Sequence, residues 1–185
     1  MKKMIKFSIG FIIFCYAIDA LATPESENPY IVFQPIQVPE ILRDEQSHCL
    51  ALNIYHESRS DNLAGQFAVA DVVLNRVEND RYPSSICEVV YQARMKPSWK
   101  NPEIQIPVRN KCQFSWYCDG KDDFPHERES WIKAQYVAHS IIENGDFRGI
   151  TEGATHYHTT YVQPYWNKHF DAIGRIGSHV FFRAD

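Results

Sequence analysis

Apolar residues recur every three or four positions in three stretches of the chain, which is the spacing of one helix face. We predict a mostly buried helix from near Asp44 to near Glu57, a second that closes near Asn79 and a third that Gly145 stops. The apolar positions are Cys49, Leu50, Leu52, Ile54 and Tyr55 in the first helix, Phe67, Ala70, Val73, Leu74 and Val77 in the second, and Trp131, Ala134, Ala138, Ile141 and Ile142 in the third.

The pattern changes toward the C-terminus, where residues 155–159 and 179–183 are rich in aromatic and β-favouring side chains. These stretches predict two short strands that can pair with each other. Earlier in the chain, Ser85 followed by Glu88 is the signature of a capping box and predicts a short helix over residues 86–92. Helices followed by late strands predict a single α+β domain with a small antiparallel sheet.

Residues 93–111 follow neither pattern. Pro97, Pro102 and Pro107 interrupt this segment, and we predict an irregular loop. In a compact domain, a loop of this length is more often a functional lid or an insertion than a simple connector.

The first 22 residues predict a secretory signal peptide. Lysines at positions 2, 3 and 6 precede an apolar run over residues 7–17, and Ala20-Leu21-Ala22 supplies the small residues of a cleavage site. An uncleaved membrane anchor is the alternative, although Asp19 interrupts an apolar run that is shorter than the roughly 20 residues that span a bilayer. We therefore expect an exported protein, periplasmic or secreted, without stable membrane insertion after cleavage.

Four prolines and several acidic residues in the next segment predict an extended arm over residues 23–44. The folded domain is then expected over residues 45–185. Across all 185 residues, 44% apolar and 14% aromatic content exclude intrinsic disorder. A net charge of -4 without a basic run removes nucleic acid as the default partner, because phosphate binding depends on lysine and arginine.

Four cysteines remain after residue 22, and an even number in an oxidising compartment favours two disulfides. Three connectivities are possible. We favour Cys49–Cys87 together with Cys112–Cys118, the second of which closes a short local loop. A zinc site formed by all four is the alternative, but the usual C-x2-4-C pairs are missing.

Glu57 stands at the end of a mostly apolar helix, where a carboxyl can lie partly in the core and partly in a cleft. Apolar surroundings raise the pKa of a carboxyl, which is the condition for a general acid near neutral pH. The plainer interpretation is a surface glutamate that pairs with Arg59. Ser58 or Ser115 with a distant histidine would imply a serine hydrolase, but the G-x-S-x-G elbow is absent.

Histidines and aromatic residues cluster near the C-terminus. His156, His158 and His179 could bind zinc if they met on one face of a sheet, although no H-E-x-x-H motif occurs and we expect no metal. The aromatic residues could grip sugar rings or simply form core. They are Trp116, Tyr117, Tyr157, Tyr161, Tyr165 and Trp166.

Several ordered motifs between residues 48 and 183 resemble the SleB-type cell-wall hydrolases, the family of the spore cortex-lytic enzymes. The motifs are Cys49-Leu-Ala-Leu-Asn-Ile-Tyr-His-Glu-Ser-Arg-Ser60, Gly65-Gln-Phe-Ala-Val-Ala-Asp-Val-Val-Leu-Asn-Arg-Val77, Tyr82-Pro83, Val89-Val90, Cys112-Gln-Phe-Ser-Trp116, Gly153-Ala-Thr-His-Tyr-His158, Pro164-Tyr-Trp166 and Ile176-Gly-Ser-His-Val-Phe-Phe182.

The resemblance implies a lysozyme-like α+β domain that acts on the glycan strands of peptidoglycan, as a monomer without a cofactor. Glu57 matches the catalytic glutamate of the family. The residues that the resemblance implies along the sugar groove are Gln113, Phe114, Ser115, Tyr157, His158 and Trp166.

The matched motifs offer no second carboxylate, which favours a single-glutamate lytic transglycosylase over a hydrolytic muramidase. Asp119 and Glu152 are the first places to look for one. A metal-dependent amidase and a non-catalytic wall-binding module are further alternatives. Unlike the spore enzymes, these 185 residues hold no peptidoglycan-binding repeat, and they carry four cysteines and the segment 93–111. A periplasmic bacterial enzyme and an exported phage lysin fit equally well.

Overall fold

The computed structural model describes residues 44–184. Their regular structure consists of helices and two small antiparallel sheets. The predicted signal peptide over residues 1–22, and residues 23–43 of the predicted arm, lie outside the described residues. The elements in chain order are α1 (Glu45–Ser58), α2 (Leu63–Val77), α3 (Ile86–Val90), β1 (Ala93–Pro97), β2 (Gln105–Cys112), a 3₁₀ turn (Ser115–Cys118), α4 (Arg128–Glu143), β3 (His156–Thr159), a second 3₁₀ turn (Asn167–His169), β4 (Asp171–Ile176) and β5 (His179–Arg183).

Local capping chemistry sets the helix ends close to their predicted positions. The Asp44 carboxylate accepts hydrogen bonds from the amides of the first turn of α1, at 3.1 and 3.2 Å. Ser85 caps α3, because its hydroxyl oxygen accepts the Glu88 amide hydrogen at 3.4 Å, and the hydroxyl donates to the Glu88 carboxylate at 2.7 Å. Gly145 follows α4 with a φ of 71°, a conformation that glycine adopts without strain.

The four helices share one apolar core, and α1 packs against the other three. Sixteen residues make α4 the longest of them. Within residues 44–184, no helix combines the length and the apolar character needed to cross a bilayer. The core includes Leu50, Ile54, Phe67, Val73, Val89, Val137 and Ile141.

The three late strands form an antiparallel sheet in the order β3-β5-β4. The two predicted strands are therefore confirmed, and they pair with Tyr157 opposite Phe181. The sequence analysis missed β4, whose ladder shifts register between Ala172 and Gly174 and whose residues are exposed or only partly buried. Phe181 packs with Ala68 and Val72 of α2, so one face of this sheet lies against the helices.

The segment 93–111, predicted as an irregular loop, is instead a β-hairpin. Strands β1 and β2 pair antiparallel, with Met95 opposite Pro107 and Lys96 opposite Ile106. Prolines misled the prediction because they are excluded from central strands, whereas each strand of a two-stranded ribbon has an unpaired edge that tolerates them.

Two disulfides tie these elements together. Cys49–Cys87 joins α1 to α3, and Cys112–Cys118 joins the end of β2 to the first 3₁₀ turn. This is the pairing that the sequence analysis favours. The second bridge closes a tight loop around residues 113–117.

Polar side chains on α2 bind the chain that leads into β3. The Asp71 carboxylate accepts hydrogen bonds from the amides of residues 149 and 151, at 3.0 and 3.1 Å. Asn75 donates to the carbonyl of residue 154 at 2.9 Å, and Arg76 donates to that of residue 155 at 2.8 Å. Together these bonds fix where β3 begins.

We expect Asp71→Asn to lower the free energy of unfolding by about 3–5 kcal/mol, because Asp71 is fully buried and pairs with Arg148. Urea denaturation measures the difference. Glu78→Gln is the matched control, since Glu78 pairs with the other nitrogen of the same arginine but is 68% exposed, and it should lose less than about 1 kcal/mol. Similar losses in both variants would contradict the assignment of Asp71 as the buried anchor.

Candidate active site

Glu57 lies in the last turn of α1, half-buried, on the wall of a cavity of about 390 Å³. The helix ends one residue later, so the chain turns away and leaves the carboxyl at the cavity edge. The other residues that line the cavity are Tyr55, His56, Arg59, Ser115, Trp116, Asp119, Lys121, Asp122, Asp123, Phe124, His126 and Glu127.

Tyr157 contacts Glu57, although the two residues lie 100 positions apart in the sequence. Its hydroxyl donates a hydrogen bond to Glu57 Oε2 at 3.1 Å. Burial raises the pKa of the Tyr157 phenol well above 10, and the neighbouring Glu57 adds to this effect. The phenol is therefore neutral at physiological pH and acts as a donor to the carboxylate.

Arg76 places a buried guanidinium beside the same pair. Its Nε donates to the carbonyl of residue 155, and both terminal nitrogens lie 3.2 Å from Gln113 Oε1 once that amide is oriented with its oxygen toward them. The guanidinium also lies over the rings of Tyr82 and Phe114, at 5.4 and 5.2 Å from the ring centres. These contacts hold a positive charge at a fixed place in the protein interior.

Opposing effects act on the pKa of Glu57. Burial raises this pKa, and it outweighs the hydrogen bond from Tyr157 and the charge of Arg76, which both lower it. The result is a carboxyl that holds its proton at a higher pH than an exposed glutamate does. The carboxylate formed on proton loss still has a donor and a nearby cation to stabilise it.

Aromatic stacking supports the cavity wall beside Glu57. The His56 ring stacks on Trp116 with 4.6 Å between the ring centres, and His56 Nε2 is 3.0 Å from the carbonyl oxygen of Asp123. Trp116 in turn donates its indole hydrogen to Asn53 at 3.1 Å. Trp116 is buried, so it supports this wall from within the core.

The two carboxylates named as candidate partners of Glu57 differ in location. Asp119 lines the same cavity, where it accepts the amide hydrogen of Lys121 at 2.8 Å and pairs with the Lys121 ammonium at 3.3 Å. Glu152 lies in the turn before β3, exposed, and is not among the cavity residues. Of these two, only Asp119 lines the cavity, and it shares the cavity with Asp122, Asp123 and Glu127.

The structure distributes the predicted groove residues over different environments. Tyr157 contacts Glu57 directly, Gln113 lies beside Arg76, and Ser115 lines the cavity. Phe114 is 3% exposed and belongs to the helical core, and its role in substrate contact stays a prediction.

His158 and Trp166 contact each other, with ring centres 5.6 Å apart. Side chains alternate between the faces of a strand, so His158 points to the face of the sheet opposite to that of its neighbour Tyr157. A role for these two residues in substrate contact stays a prediction.

The three histidines proposed as an alternative zinc set do not share one face. His179 pairs with Thr159, and its ring lies 5.1 Å from that of Tyr157. His156 and His158 project from the other face. Among residues 44–184, no group of three histidine, cysteine, aspartate or glutamate side chains is arranged to hold a metal ion.

Two further interpretations of the α1 terminus are not supported by the contacts. Arg59, the expected partner of Glu57, instead forms an ion pair with Glu127 at 3.0 Å. Ser58 is buried and donates its hydroxyl to the carbonyl of Ile54 at 2.9 Å, as helix serines commonly do. It is therefore not placed as a nucleophile.

Arg76 and His56 are site residues that sequence reasoning missed. A cation next to the apolar stripe of α2 was the available signal, because a buried arginine needs a partner in the interior. His56 carried no comparable signal, since its stacking depends on Trp116, sixty residues away.

Comparisons with known proteins bear on the family and the fold of the chain. The model of the Cell Wall Hydrolase family matches residues 60–182. The catalytic domain of the germination-specific lytic transglycosylase SleB from Bacillus anthracis has 24% identity and a TM-score of 0.53, covering 75% of this chain and 93% of that one. The catalytic domain of the Bacillus cereus SleB protein has 25% identity and a TM-score of 0.52, covering 76% and 91%. No curated protein matches the chain.

These matches confirm the SleB-type resemblance and the lysozyme-like α+β fold. The family match begins three residues after Glu57. The choice of Glu57 as the central carboxyl therefore depends on its geometry and on the motif around it.

We expect Tyr157→Phe to raise the pKa of Glu57, because the variant loses the hydrogen bond that stabilises the carboxylate. Carbon-13 NMR of labelled glutamate side chains measures this pKa, with the Glu57 resonance assigned by its loss in Glu57→Gln. Tyr161→Phe is the matched control on an exposed tyrosine and should leave the Glu57 titration unchanged. An unchanged or lowered pKa in Tyr157→Phe would contradict the role of the phenol.

Proposed function

Because the chain belongs to the cell wall hydrolase family, we propose that it cleaves the glycan strands of peptidoglycan with Glu57 as its single acid and base. The observation that carries the proposal is one half-buried carboxyl with a raised pKa, held by a phenol and opening into a cavity. Such a group can donate a proton near neutral pH and later take one back.

The first step breaks the bond between N-acetylmuramic acid and N-acetylglucosamine. Protonated Glu57 transfers its proton to the glycosidic oxygen as the bond from that oxygen to the muramic C1 breaks. The new Glu57 carboxylate accepts the Tyr157 hydrogen bond, which strengthens as negative charge develops. The interaction therefore favours the transition state more than the ground state.

The second step returns the proton. The 6-hydroxyl of the same muramic acid attacks C1, and Glu57 removes the hydroxyl proton as the new C–O bond forms. Water is not consumed, Glu57 regains its starting state, and the product ends in 1,6-anhydro-muramic acid. An intramolecular nucleophile removes the need for a second catalytic carboxylate, because proximity supplies what an enzyme group would otherwise provide.

Arg76 supports this cycle without touching the substrate. Its charge lowers the pKa of Glu57 against the effect of burial, so the carboxylate form is accessible for the second step. Gln113 and the carbonyl of Thr155 hold the guanidinium in place. Arg76 is thus a positioning residue for the charge of Glu57.

Hydrolysis is the second candidate, and the presence of Asp119 in the same cavity favours considering it. In that reaction Asp119 would activate a water or attack C1 as a nucleophile. At 24% identity, the transglycosylase from Bacillus anthracis shares the fold alone, so it does not decide between the two products. We favour the single-glutamate route because it needs no second carboxylate.

Glu57→Gln should lower lytic activity at least about a hundredfold, because glutamine keeps the shape of the side chain but has no proton to transfer. The variant should unfold at no lower temperature than the wild type, since it removes a carboxyl that burial disfavours in its charged form. Clearing of purified peptidoglycan and thermal melting measure the two effects. Glu143→Gln, at an exposed position on α4, is the control. Activity of Glu57→Gln within a few-fold of the wild type would refute the assignment.

Mass spectrometry of muropeptides released from unreduced peptidoglycan should show products one water lighter than hydrolytic ones. Their anhydro ends should resist later borohydride reduction. Reducible muramic ends that disappear in Asp119→Asn would establish the hydrolytic route instead. Cleaved stem peptides with intact glycan would reject both routes, and firm binding without any soluble product would indicate a non-catalytic module.

A further inference from the structure

The ribbon formed by residues 93–112 is basic in an acidic protein. It carries five basic residues and one acidic residue, whereas the whole chain has a net charge of -4. In the part of the chain that the structure describes, none of these five cations belongs to an ion pair. The cations are Arg94, Lys96, Lys100, Arg109 and Lys111.

Large apolar side chains are exposed on the same ribbon. Trp99 is 84% exposed, Ile104 55% and Met95 43%. A hydrogen bond of 2.8 Å from the amide of Ser98 to the carbonyl of Ile104 closes the connecting loop, so Trp99 and Ile104 both lie at its tip. The Lys100 ammonium lies 5.3 Å from the centre of the Trp99 ring, which places positive charge directly beside the apolar group.

The root of the ribbon is held firmly while its length is open to solvent. The Cys112–Cys118 disulfide and a 2.8 Å backbone bond from Gln113 to Gln92 anchor the two strands to the domain. Most side chains of β1 and β2 are exposed or only partly buried. The apolar tip is thus displayed away from the core that would otherwise bury it.

We propose that this ribbon binds the surface of anionic phospholipid bilayers. Lysine and arginine near such a surface gain from its negative potential, and tryptophan prefers the interface between headgroups and acyl chains. An acidic polysaccharide would account for the cations, but it would leave the exposed Met95 and Ile104 unexplained. An apolar tip flanked by cations is the arrangement that peripheral membrane binding requires.

The inference does not depend on the proposed function, because the ribbon and the Glu57 cavity share no described residue. Binding to a bilayer would hold the protein at the face of a membrane without inserting a helix. It would restrict the enzyme to the part of the wall that lies close to that membrane.

The test uses the chain from residue 23 to residue 185, which contains every described element and lacks the apolar segment 7–17 that could itself bind lipid. The described helices, both sheets and both disulfides lie within it, with their own core. Flotation with vesicles of equal parts phosphatidylglycerol and phosphatidylcholine measures binding, and pure phosphatidylcholine vesicles give the uncharged reference.

We expect binding to the anionic vesicles that weakens as salt is raised, and little binding to the uncharged ones. Lys96→Gln with Lys100→Gln should weaken binding about fivefold per lysine removed. Trp99→Ala should weaken binding at least about fivefold, because the aromatic ring that would enter the bilayer interface is lost. Trp99→Phe should restore part of the affinity.

Matched controls separate the ribbon from the rest of the surface. Tyr161→Ala removes an aromatic side chain that is 82% exposed, and Arg128→Gln with Lys168→Gln removes two exposed cations elsewhere. Equal losses in the controls would overturn the proposal, as would the absence of vesicle binding. Loss of binding to purified peptidoglycan in the ribbon variants, without any vesicle binding, would identify a wall-binding surface instead and would also overturn it.

Discussion

The site depends on the buried polar contacts between α2 and the chain that enters β3. Asp71, Asn75 and Arg76 together bind the backbone of residues 149–155, at distances of 2.8 to 3.1 Å. Because this segment leads directly into β3, its position fixes where Tyr157 meets Glu57. Helix packing alone would bring α1 and the sheet near each other, but it would not set a 3.1 Å hydrogen bond between two side chains a hundred residues apart.

Burial of so many polar groups is costly unless each has a partner. Here the partners are mainly backbone amides and carbonyls, which would themselves be left unsatisfied in an irregular segment. The same arrangement brings the Arg76 charge close to Glu57 without a direct ion pair. A direct pair would keep Glu57 ionised, whereas a more distant charge lets burial raise its pKa while the carboxylate stays accessible.

Features encoded by neighbouring residues could be predicted from the sequence. Of the features that depend on distant contacts, the Cys49–Cys87 bridge and the pairing of β3 with β5 were predicted, and most others were not. Ser85 and Glu88 lie within four residues, and the structure has Ser85 as the N-cap of α3. The β1–β2 ribbon was missed because its prolines indicate a loop. They are compatible with a strand only when that strand has an unpaired edge, which the sequence alone does not reveal. The face on which His179 lies follows from strand register, and Phe114 is packed against Arg76 and core residues that are distant in sequence. Glu57 could be singled out because it ends a helix whose residues are mostly buried.

The environments of the cavity carboxyls explain why Glu57 would be the one that transfers a proton. Hydrogen bonds from the chain of residues 121–126 lower the pKa of Asp119 and of Asp122, so both are ionised at neutral pH. Burial raises the pKa of Asp123 as well as that of Glu57. Only Glu57 also has a neutral phenol aimed at its oxygen, which stabilises the charge left after the proton departs. When neighbouring carboxyls have such different pKa values, the one with the raised pKa is the candidate acid. Here the Tyr157 hydroxyl also stabilises the carboxylate that remains after Glu57 gives up its proton.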